Sequence, residues 1–309
     1  MRNPDLSNIS HWPKWLVEFL VPVYMITIFG APLLTTVALY QSVSFAWLRL
    51  AVLVFLPMVY SVTFMLVAGV LSLPHHQGIV AGRFPRDSGH VVYGHRKLYG
   101  LCWTALYYFK PIYWICLTIP VLRKVTFRLF GYKGNLDFAV YPDTWIRDLP
   151  LLDIGKGAYL SNRATLGSNM IMPGNRIVVT PIVVGEGSIV GHLACIAGVT
   201  IDTNVVVGIN STVGSHVHLQ DGCQIGPCGG IDHGTIVGKG ARVGSRSYTG
   251  LGSSIGDGCR IEANSAISAR TQVTATAVPA GIDLEPTADV GPGLVVVAEP
   301  LSDSIYISA

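Results

Sequence analysis

The chain has 309 residues, of which 50% are hydrophobic and only 13% are charged, and its mean hydropathy is +0.48. Soluble domains carry about a quarter charged residues, so this composition argues against a disordered chain, a nucleic-acid-binding protein and an ordinary cytosolic enzyme. The charge is unevenly divided. Residues 1–150 have 13 Lys and Arg against 6 Asp and Glu, net +7, whereas residues 151–309 have 8 against 12, net −4. The six cysteines form no CxxC pair, which indicates free thiols rather than a zinc site or disulfides.

Two long apolar segments lie in the basic half. Residues 16–40 contain one charge, that of Glu18, and residues 50–73 contain none. At about 1.5 Å per residue, each is long enough to cross the roughly 30 Å hydrocarbon layer. Basic residues flank the outer ends of the pair and the connection at 41–45 is uncharged, so the positive-inside rule predicts a hairpin with both ends in the cytoplasm. We expect a multi-pass protein of a bacterial-type cytoplasmic membrane, with its C-terminal half on the cytoplasmic side.

A third apolar segment, residues 99–122, differs from these two. Lys110 and Pro111 interrupt it, it is rich in Trp and Tyr, and basic residues flank both of its ends. Aromatic side chains with positive flanks are typical of helices at the membrane–water interface. We expect interfacial helices at residues 99–130 and a membrane anchor that comprises residues 1–135. A third span, which would place the acidic half outside, is the alternative.

The acidic half contains a six-residue repeat. From Ile201 to Val273, every sixth residue is aliphatic except Thr249, glycine often comes next, and a small residue often comes four positions later. The repeat continues upstream with one residue missing before Ile201, and residues 168–181 break it, either as an excursion from one coil or as a loop that connects two coils out of register. Three six-residue strands make one triangular coil whose aliphatic and small residues point inward. The sequence therefore predicts a parallel β-helix at residues 136–280 and an extension at 281–309.

This pattern resembles the hexapeptide-repeat acyltransferase superfamily, in its membrane-anchored branch. The resemblance covers residues 154–275, and Gly291–Pro300 is similar to a degenerate form of the closing segment of that family. It implies a fold class of N-terminal transmembrane and interfacial α-helices followed by a left-handed parallel β-helix, the hexapeptide-repeat solenoid. It also implies a homotrimer with sites between subunits.

The same resemblance implies a membrane-bound acyltransferase. Such an enzyme moves an acyl group from acyl-CoA, or from an acyl carrier thioester, to a hydroxyl or amine. No cofactor is expected to be tightly bound, since acyl-CoA is a co-substrate. Because an anchor is useful when the acceptor is in the membrane, we expect a membrane lipid or a lipid-linked acceptor. No nucleic-acid partner is expected.

One segment points to a catalytic base. Residues 231–238 (IDHGTIVG) resemble the I-[DE]-H-x-x-x-[IV]-G segment of sugar N-acyltransferases in this superfamily, in which the histidine is the base. The resemblance makes His233 the leading candidate, with Asp232 next to it. Histidine suits this chemistry because its ordinary pKa is near 6.5. An exposed histidine in a trimer contact is the alternative interpretation.

The solenoid period relates His233 to a second histidine. Ile201, Val207 and Val213 begin three successive hexads, on faces that we label A, B and C. His233 then lies on face C at an outward position, and His216 lies on the same face one coil away, offset by one residue. Adjacent coils are about 4.8 Å apart, so the sequence predicts a cluster of both histidines with Asp232.

Other candidate site residues lie elsewhere on the solenoid. His192 has the hexad position of His233, but on face B, and it approaches such a site only across a subunit interface. The resemblance implies that basic residues of the later coils hold the coenzyme A phosphates in the groove between neighbouring solenoids. The candidates are Lys239, Arg242, Arg246 and Arg260.

Two other functions fit the same fold. A noncatalytic β-helix scaffold would only assemble a membrane complex. A zinc enzyme like the γ-class carbonic anhydrases of the superfamily would need three histidines, two of them five residues apart. No solenoid histidines have that spacing, so we expect no metal site.

Overall fold

The computed structural model describes residues 4–7 and 11–274, together with the strand residues 277–278, 283–284 and 289–290. Two long helices, α1 (Lys14–Ser42) and α2 (Ala46–Ser72), pack against each other. Both are long and apolar enough to cross a membrane, and few of their residues are buried inside the protein. Large apolar side chains such as Ile26 and Val54 are about three-quarters exposed, at 73% and 76%. Such a continuous apolar surface is unusual where a protein faces water.

Three shorter helices follow. A 3-10 turn (Leu73–Gly78) and the strand β1 (Gly82–Pro85) lead to α3 (Val91–Tyr108), α4 (Lys110–Thr118) and α5 (Pro120–Leu129). Proline occupies the first turn of both α4 and α5, a position where its missing N–H costs no helical hydrogen bond. The apolar segment 99–122 is therefore divided among three helices, and in the described part of the chain only the two N-terminal helices are long enough to span.

We expected the aromatic side chains of these helices to face the headgroup layer. Most of them are instead buried inside the protein. Trp103, Tyr107 and Tyr113 are buried. The Trp103 N–H donates to the carbonyl of Ile146 at 2.6 Å, and the Tyr107 hydroxyl donates to the carbonyl of Asp143 at 3.1 Å. Since indole and phenol groups need a polar partner when buried, these contacts fix α3 against the first coil of the solenoid.

The C-terminal half is a parallel β-solenoid with three faces, each of them a sheet of eight strands. Face A consists of β4 (Leu152–Ile154), β9 (Ile182–Val184), β12 (Thr200–Ile201), β15 (His218–Leu219), β18 (Ile236–Val237), β21 (Ser254–Ile255), β24 (Gln272–Val273) and β27 (Asp289–Val290). Face B consists of β2 (Ala139–Val140), β5 (Tyr159–Leu160), β10 (Ile189–Val190), β13 (Val206–Val207), β16 (Gln224–Ile225), β19 (Arg242–Val243), β22 (Arg260–Ile261) and β25 (Ala277–Val278). Face C consists of β3 (Trp145–Ile146), β6 (Thr165–Gly167), β11 (Cys195–Ala197), β14 (Thr212–Val213), β17 (Gly230–Ile231), β20 (Tyr248–Thr249), β23 (Ala266–Ile267) and β26 (Asp283–Leu284).

The strand register confirms the predicted fold class of N-terminal helices followed by a hexapeptide-repeat parallel β-helix. Val207 pairs with Ile225, and Ile225 pairs with Val243, so one coil takes 18 residues. The aliphatic residue of each hexad is buried, as expected for the inward position. The strands continue to residue 290, beyond the predicted boundary at 280. The predicted closing segment, Gly291–Pro300, lies outside the described residues.

Both irregularities of the repeat have a structural counterpart. The excursion at 168–181 is a hairpin of β7 (Asn169–Met172) and β8 (Arg176–Val179), and β8 also pairs with β1 in an antiparallel three-stranded sheet. The missing residue shortens one coil to 17 residues, because Ile201 pairs with Val184. One hydrophobic core joins both halves of the chain, from Ile28 in α1 to Val273 in the solenoid.

Candidate functional site

The candidate histidines lie at the corners of the solenoid. Each regular hexad has a strand of two residues followed by a turn, so its third and fourth residues fall in the turn. His216 follows β14 and His233 follows β17, in consecutive turns between faces C and A, which we call the C-to-A corner. Our expectation that His233 points outward from face C is therefore corrected, because the strands are too short to include it.

His233 is held by the backbone of the preceding coil. Its Nδ1 accepts the N–H of Ser215 at 2.7 Å. A Cβ on Gly214 would lie 2.8 Å from both the backbone nitrogen and Nδ1 of His233, so only glycine leaves room for the ring. A nitrogen that accepts an N–H carries no proton itself, so the neutral His233 ring has its proton on Nε2. In this orientation His233 is a hydrogen-bond donor.

Asp232 and Tyr248 complete the surroundings of His233. One carboxylate oxygen of Asp232 accepts the backbone N–H of His233 at 2.7 Å and lies 3.8 Å from its Nε2. The other accepts the hydroxyl of Tyr248 at 2.8 Å. Partial burial acts to raise the pKa of Asp232, but these two hydrogen bonds stabilise the charged carboxylate and contribute to a net lowering of that pKa. Gly230 leaves space for the Tyr248 ring, which would lie 3.0 Å from any Cβ there.

His216 has a different set of partners. Its Nδ1 lies 2.9 Å from the hydroxyl oxygen of Ser215, which is itself 3.4 Å from the hydroxyl oxygen of Thr180 at the end of the hairpin. Desolvation lowers the pKa of His216, and the positive charge of Arg83 lowers it further. Its ring is therefore neutral at neutral pH. When Nδ1–H donates to Ser215, the lone pair of Nε2 is free to accept a proton.

The structure brings together three of the four predicted catalytic residues. His216, His233 and Asp232 share the C-to-A corner, whereas His192 lies in the turn that follows β10, between faces B and C. Ser215 and Tyr248 were not predicted. The 18-residue period places Tyr248 directly above Gly230. The sequence therefore contained a signal that the Tyr248 ring packs over this glycine.

The predicted phosphate-binding residues lie away from these histidines. Arg242 and Arg260 are exposed neighbours on face B, and Arg246 is exposed in the turn between faces B and C. Lys239 lies in the turn between faces A and B, where its amine is 3.6 Å from the carboxylate of Asp221. Within one chain these cations and the C-to-A corner occupy different sides of the prism. Among the described residues, no group of three or more His, Cys, Asp or Glu is placed to hold a metal ion.

Comparison with known proteins gives likenesses in solved structures only. No protein-family profile and no curated protein matches the chain. A UDP-N-acetylglucosamine acyltransferase is 14% identical with a TM-score of 0.31, and the match covers 50% of this chain and 71% of that one. A GDP-perosamine N-acetyltransferase from Caulobacter crescentus, in complex with CoA and GDP-perosamine, is 16% identical with a TM-score of 0.22 over 53% and 58%.

A third solved structure is the acetyltransferase domain of PglB from Neisseria gonorrhoeae. It is 17% identical with a TM-score of 0.24, and the match covers 53% of this chain and 62% of that domain. Because all three TM-scores are below 0.5, the fold is assigned from the strand pairing of this chain, and that pairing confirms the hexapeptide-repeat β-helix.

Proposed function

We propose that the protein is an acyltransferase that moves an acyl group from a coenzyme A thioester to a hydroxyl or amine of a membrane-associated acceptor. The observation that carries this proposal is the pair of neighbouring histidines at the C-to-A corner, in which Nδ1 of His233 accepts a backbone N–H and Nδ1 of His216 lies against the Ser215 hydroxyl. His216 has the features of a base and His233 those of a donor. Acyl transfer needs one group of each kind.

In this mechanism Nε2 of His216 takes the proton of the acceptor hydroxyl or amine. The acceptor oxygen or nitrogen then forms a bond to the thioester carbonyl carbon, and Nε2–H of His233 donates to the developing oxyanion. When the tetrahedral intermediate collapses, the carbon–sulfur bond breaks and the thiolate leaves. It takes the proton from His216, so the products are the acylated acceptor and free coenzyme A. Asp232 and Tyr248 position His233 and need not touch the substrate.

The membrane and the trimer belong to the same proposal. The exposed apolar surfaces of α1 and α2 support insertion in the membrane, and the charge distribution supports a solenoid on the cytoplasmic side. The cations of face B and the histidines of the C-to-A corner lie on different sides of one chain, so a neighbouring subunit is needed to bring them together. A homotrimer that binds the coenzyme A thioester between subunits provides that arrangement.

The test uses the full chain in detergent with a lipid extract of the expression host. Acetyl-CoA and palmitoyl-CoA, each labelled on the acyl group, are the donors, and both free thiol and labelled lipid are measured. We expect His216→Ala to lower transfer by about 100-fold or more and the control His218→Gln to leave it unchanged. His218 is a suitable control because it lies on face A, paired with Asp202. If His216→Ala and His233→Ala both retained full transfer, the noncatalytic scaffold would be favoured instead.

A further inference from the structure

A basic cavity lies beside the hairpin, away from the histidine corner. It has a volume of about 330 Å³ and is lined by residues of α1, α3, β7 and β8. Four cationic side chains line it, and its lining includes no Asp or Glu: the cations are Arg86, Arg96, Lys97 and Arg147. A concave site with one sign of charge concentrates ligands of the opposite sign.

One of these cations is almost completely buried. Arg96 is 2% exposed, and its guanidinium donates through Nη2 to the carboxylate of Asp148 behind the cavity. The hydroxyl of Ser168 donates to the same carboxylate. Within the described part of the chain, Nε of Arg96 has no hydrogen-bond partner. Oδ1 of Asp148, on the carboxylate that Arg96 contacts, has no hydrogen-bond partner among these residues either, so both buried atoms belong to the ion pair behind the cavity.

The charges around the cavity do not balance. Asp148 is the carboxylate that contacts two of the cations, since Nε of Arg147 lies 3.9 Å from its other oxygen. Lys97 is 3.3 Å from the hydroxyl of Ser88, a neutral partner. One negative charge therefore accompanies four positive ones, which leaves the cavity cationic. Arginine and lysine together are well suited to a phosphate group.

The basic cavity adjoins an apolar one. The second cavity, of about 420 Å³, lies between α1 and α3, and it shares Leu101 and Thr104 with the first. On α1, Val21 lines the basic cavity, and Met25 and Phe29 line the apolar one. Because these three residues are four apart, they form one stripe along the helix, and the stripe leads from the basic cavity towards the middle of α1.

We propose that these two cavities form one binding site for a membrane lipid with a phosphate headgroup. The phosphate binds among Arg86, Arg96, Lys97 and Arg147, and one hydrocarbon chain lies along the stripe of α1. The cationic charge and the adjoining apolar groove select a ligand with both parts. Basic pockets at the cytoplasmic ends of membrane helices are suitable sites for anionic lipid headgroups.

The site also indicates which acceptor the enzyme uses, and this part rests on the proposed function. The hairpin lines the basic cavity through Asn169, Ile171 and Ile177. The residue after its second strand, Thr180, contacts Ser215 beneath His216. The hairpin therefore connects the proposed lipid site with the histidine corner. The lipid would be the acceptor or a close analogue of it.

The binding test uses the full chain, delipidated in mild detergent, and counts bound lipids by native mass spectrometry. The probes are dioleoyl phosphatidate, the uncharged dioleoylglycerol, inorganic phosphate and palmitoyl-CoA. We expect one phosphatidate to bind and dioleoylglycerol to bind at least tenfold more weakly. Inorganic phosphate should compete only at much higher concentration, since it lacks the chain. Palmitoyl-CoA should displace bound phosphatidate less strongly than excess phosphatidate does. If palmitoyl-CoA displaced it more strongly, the assignment to a membrane lipid would be overturned.

The variants test the binding of the lipid headgroup and of the lipid hydrocarbon chain separately. Arg86→Gln with Arg147→Gln removes two cations without breaking the buried contact of Arg96, and should weaken phosphatidate binding at least tenfold. Leu101→Trp fills the junction of the cavities and should also weaken it. The matched control is Lys124→Gln, an exposed cation of α5 that does not line the cavity. Equal binding by the Arg86/Arg147 variant and the control would contradict the proposal.

Failure of this proposal is distinguishable from failure of the acyl-transfer proposal. His216→Ala should abolish transfer and keep phosphatidate binding, because His216 does not line either cavity. If binding survived but no acyl group were transferred by the wild-type chain, the lipid site would stand without the enzymatic function. If transfer occurred and phosphatidate did not bind, the lipid site would be wrong.

Discussion

At the scale of single residues, the direction of one hydrogen bond distinguishes the two histidines. His233 accepts the Ser215 N–H through Nδ1, so its reactive side presents a proton. His216 contacts only the Ser215 hydroxyl through Nδ1, and a hydroxyl can accept as well as donate. In the proposed mechanism the histidine of the sequence motif, His233, is therefore the donor, and the base function is assigned to His216.

Glutamine variants test this assignment. A glutamine side chain offers an N–H donor near the position of Nε2 but no base. We expect His233→Gln to retain at least about tenfold more transfer than His233→Ala, since loss of an oxyanion donor costs roughly 100- to 1,000-fold. His216→Gln should be as inactive as His216→Ala. The reverse pattern, measured as kcat/KM, would make His233 the base.

The pH profile gives a second test at the residue scale. His216 must be neutral to accept a proton, and desolvation lowers its pKa below the ordinary 6.5. Transfer should therefore fall on acidification with a midpoint below pH 6.5. Arg83→Gln removes a positive charge near His216 and should move that midpoint to higher pH. A midpoint at or above pH 6.5 in the wild-type chain would show that another group is titrating.

At the scale of elements, a buried ion pair joins α3 to the hairpin. Arg96 of α3 contacts Asp148, which is fully buried in the first coil between β3 and β4, and Ser168 at the start of the hairpin contacts the same carboxylate. Removing one partner of a buried pair leaves an uncompensated charge. The two elements that line the basic cavity are thus held by one network of charged hydrogen bonds.

Removal of that pair should be costly. We expect Arg96→Met to destabilise the protein by about 3–5 kcal/mol, measured as a fall in Tm in detergent. Arg96→Met combined with Asp148→Asn should recover part of the loss because no buried charge remains. Lys239→Gln, which breaks the exposed pair with Asp221, should leave Tm nearly unchanged, because exposed ion pairs contribute little to stability. An Arg96→Met protein as stable as wild type would show that the pair contributes little.

At the scale of the whole molecule, one hydrophobic core connects the helices with the solenoid. The solenoid is therefore fixed to the cytoplasmic ends of α1 and α2 in the proposed topology. The native cysteines report on this arrangement, because Cys195 and Cys228 are exposed on the solenoid and the other four are buried.

Labelling with a membrane-impermeant maleimide tests the topology. We expect Cys195 and Cys228 to react in inside-out vesicles and to be protected in intact spheroplasts. In the variant Cys195→Ser/Cys228→Ser, added Ser44→Cys should show the opposite pattern, since it lies in the short connection between α1 and α2. Labelling of Cys195 from outside the cell would contradict a cytoplasmic solenoid.

The sequence by itself determined the repeat and the face on which each strand lies. A six-residue period with inward aliphatic residues allows only a coil of three short strands, so β14 and β17 were predictable as neighbours on face C. The two long apolar helices were also predictable, since apolar length is a local property of the sequence. The hairpin was visible as a break in the period but its pairing with β1 was not.

Only the tertiary structure decided the chemistry of the candidate sites. The tautomer of His233 depends on a backbone N–H contributed by another coil, which no local pattern records. The basic cavity joins Arg86, Arg96 and Arg147, whose separation in sequence hides their common environment. The period fixes which residues are neighbours, whereas the direction of each side chain and the contents of each cavity depend on packing between elements far apart in the chain.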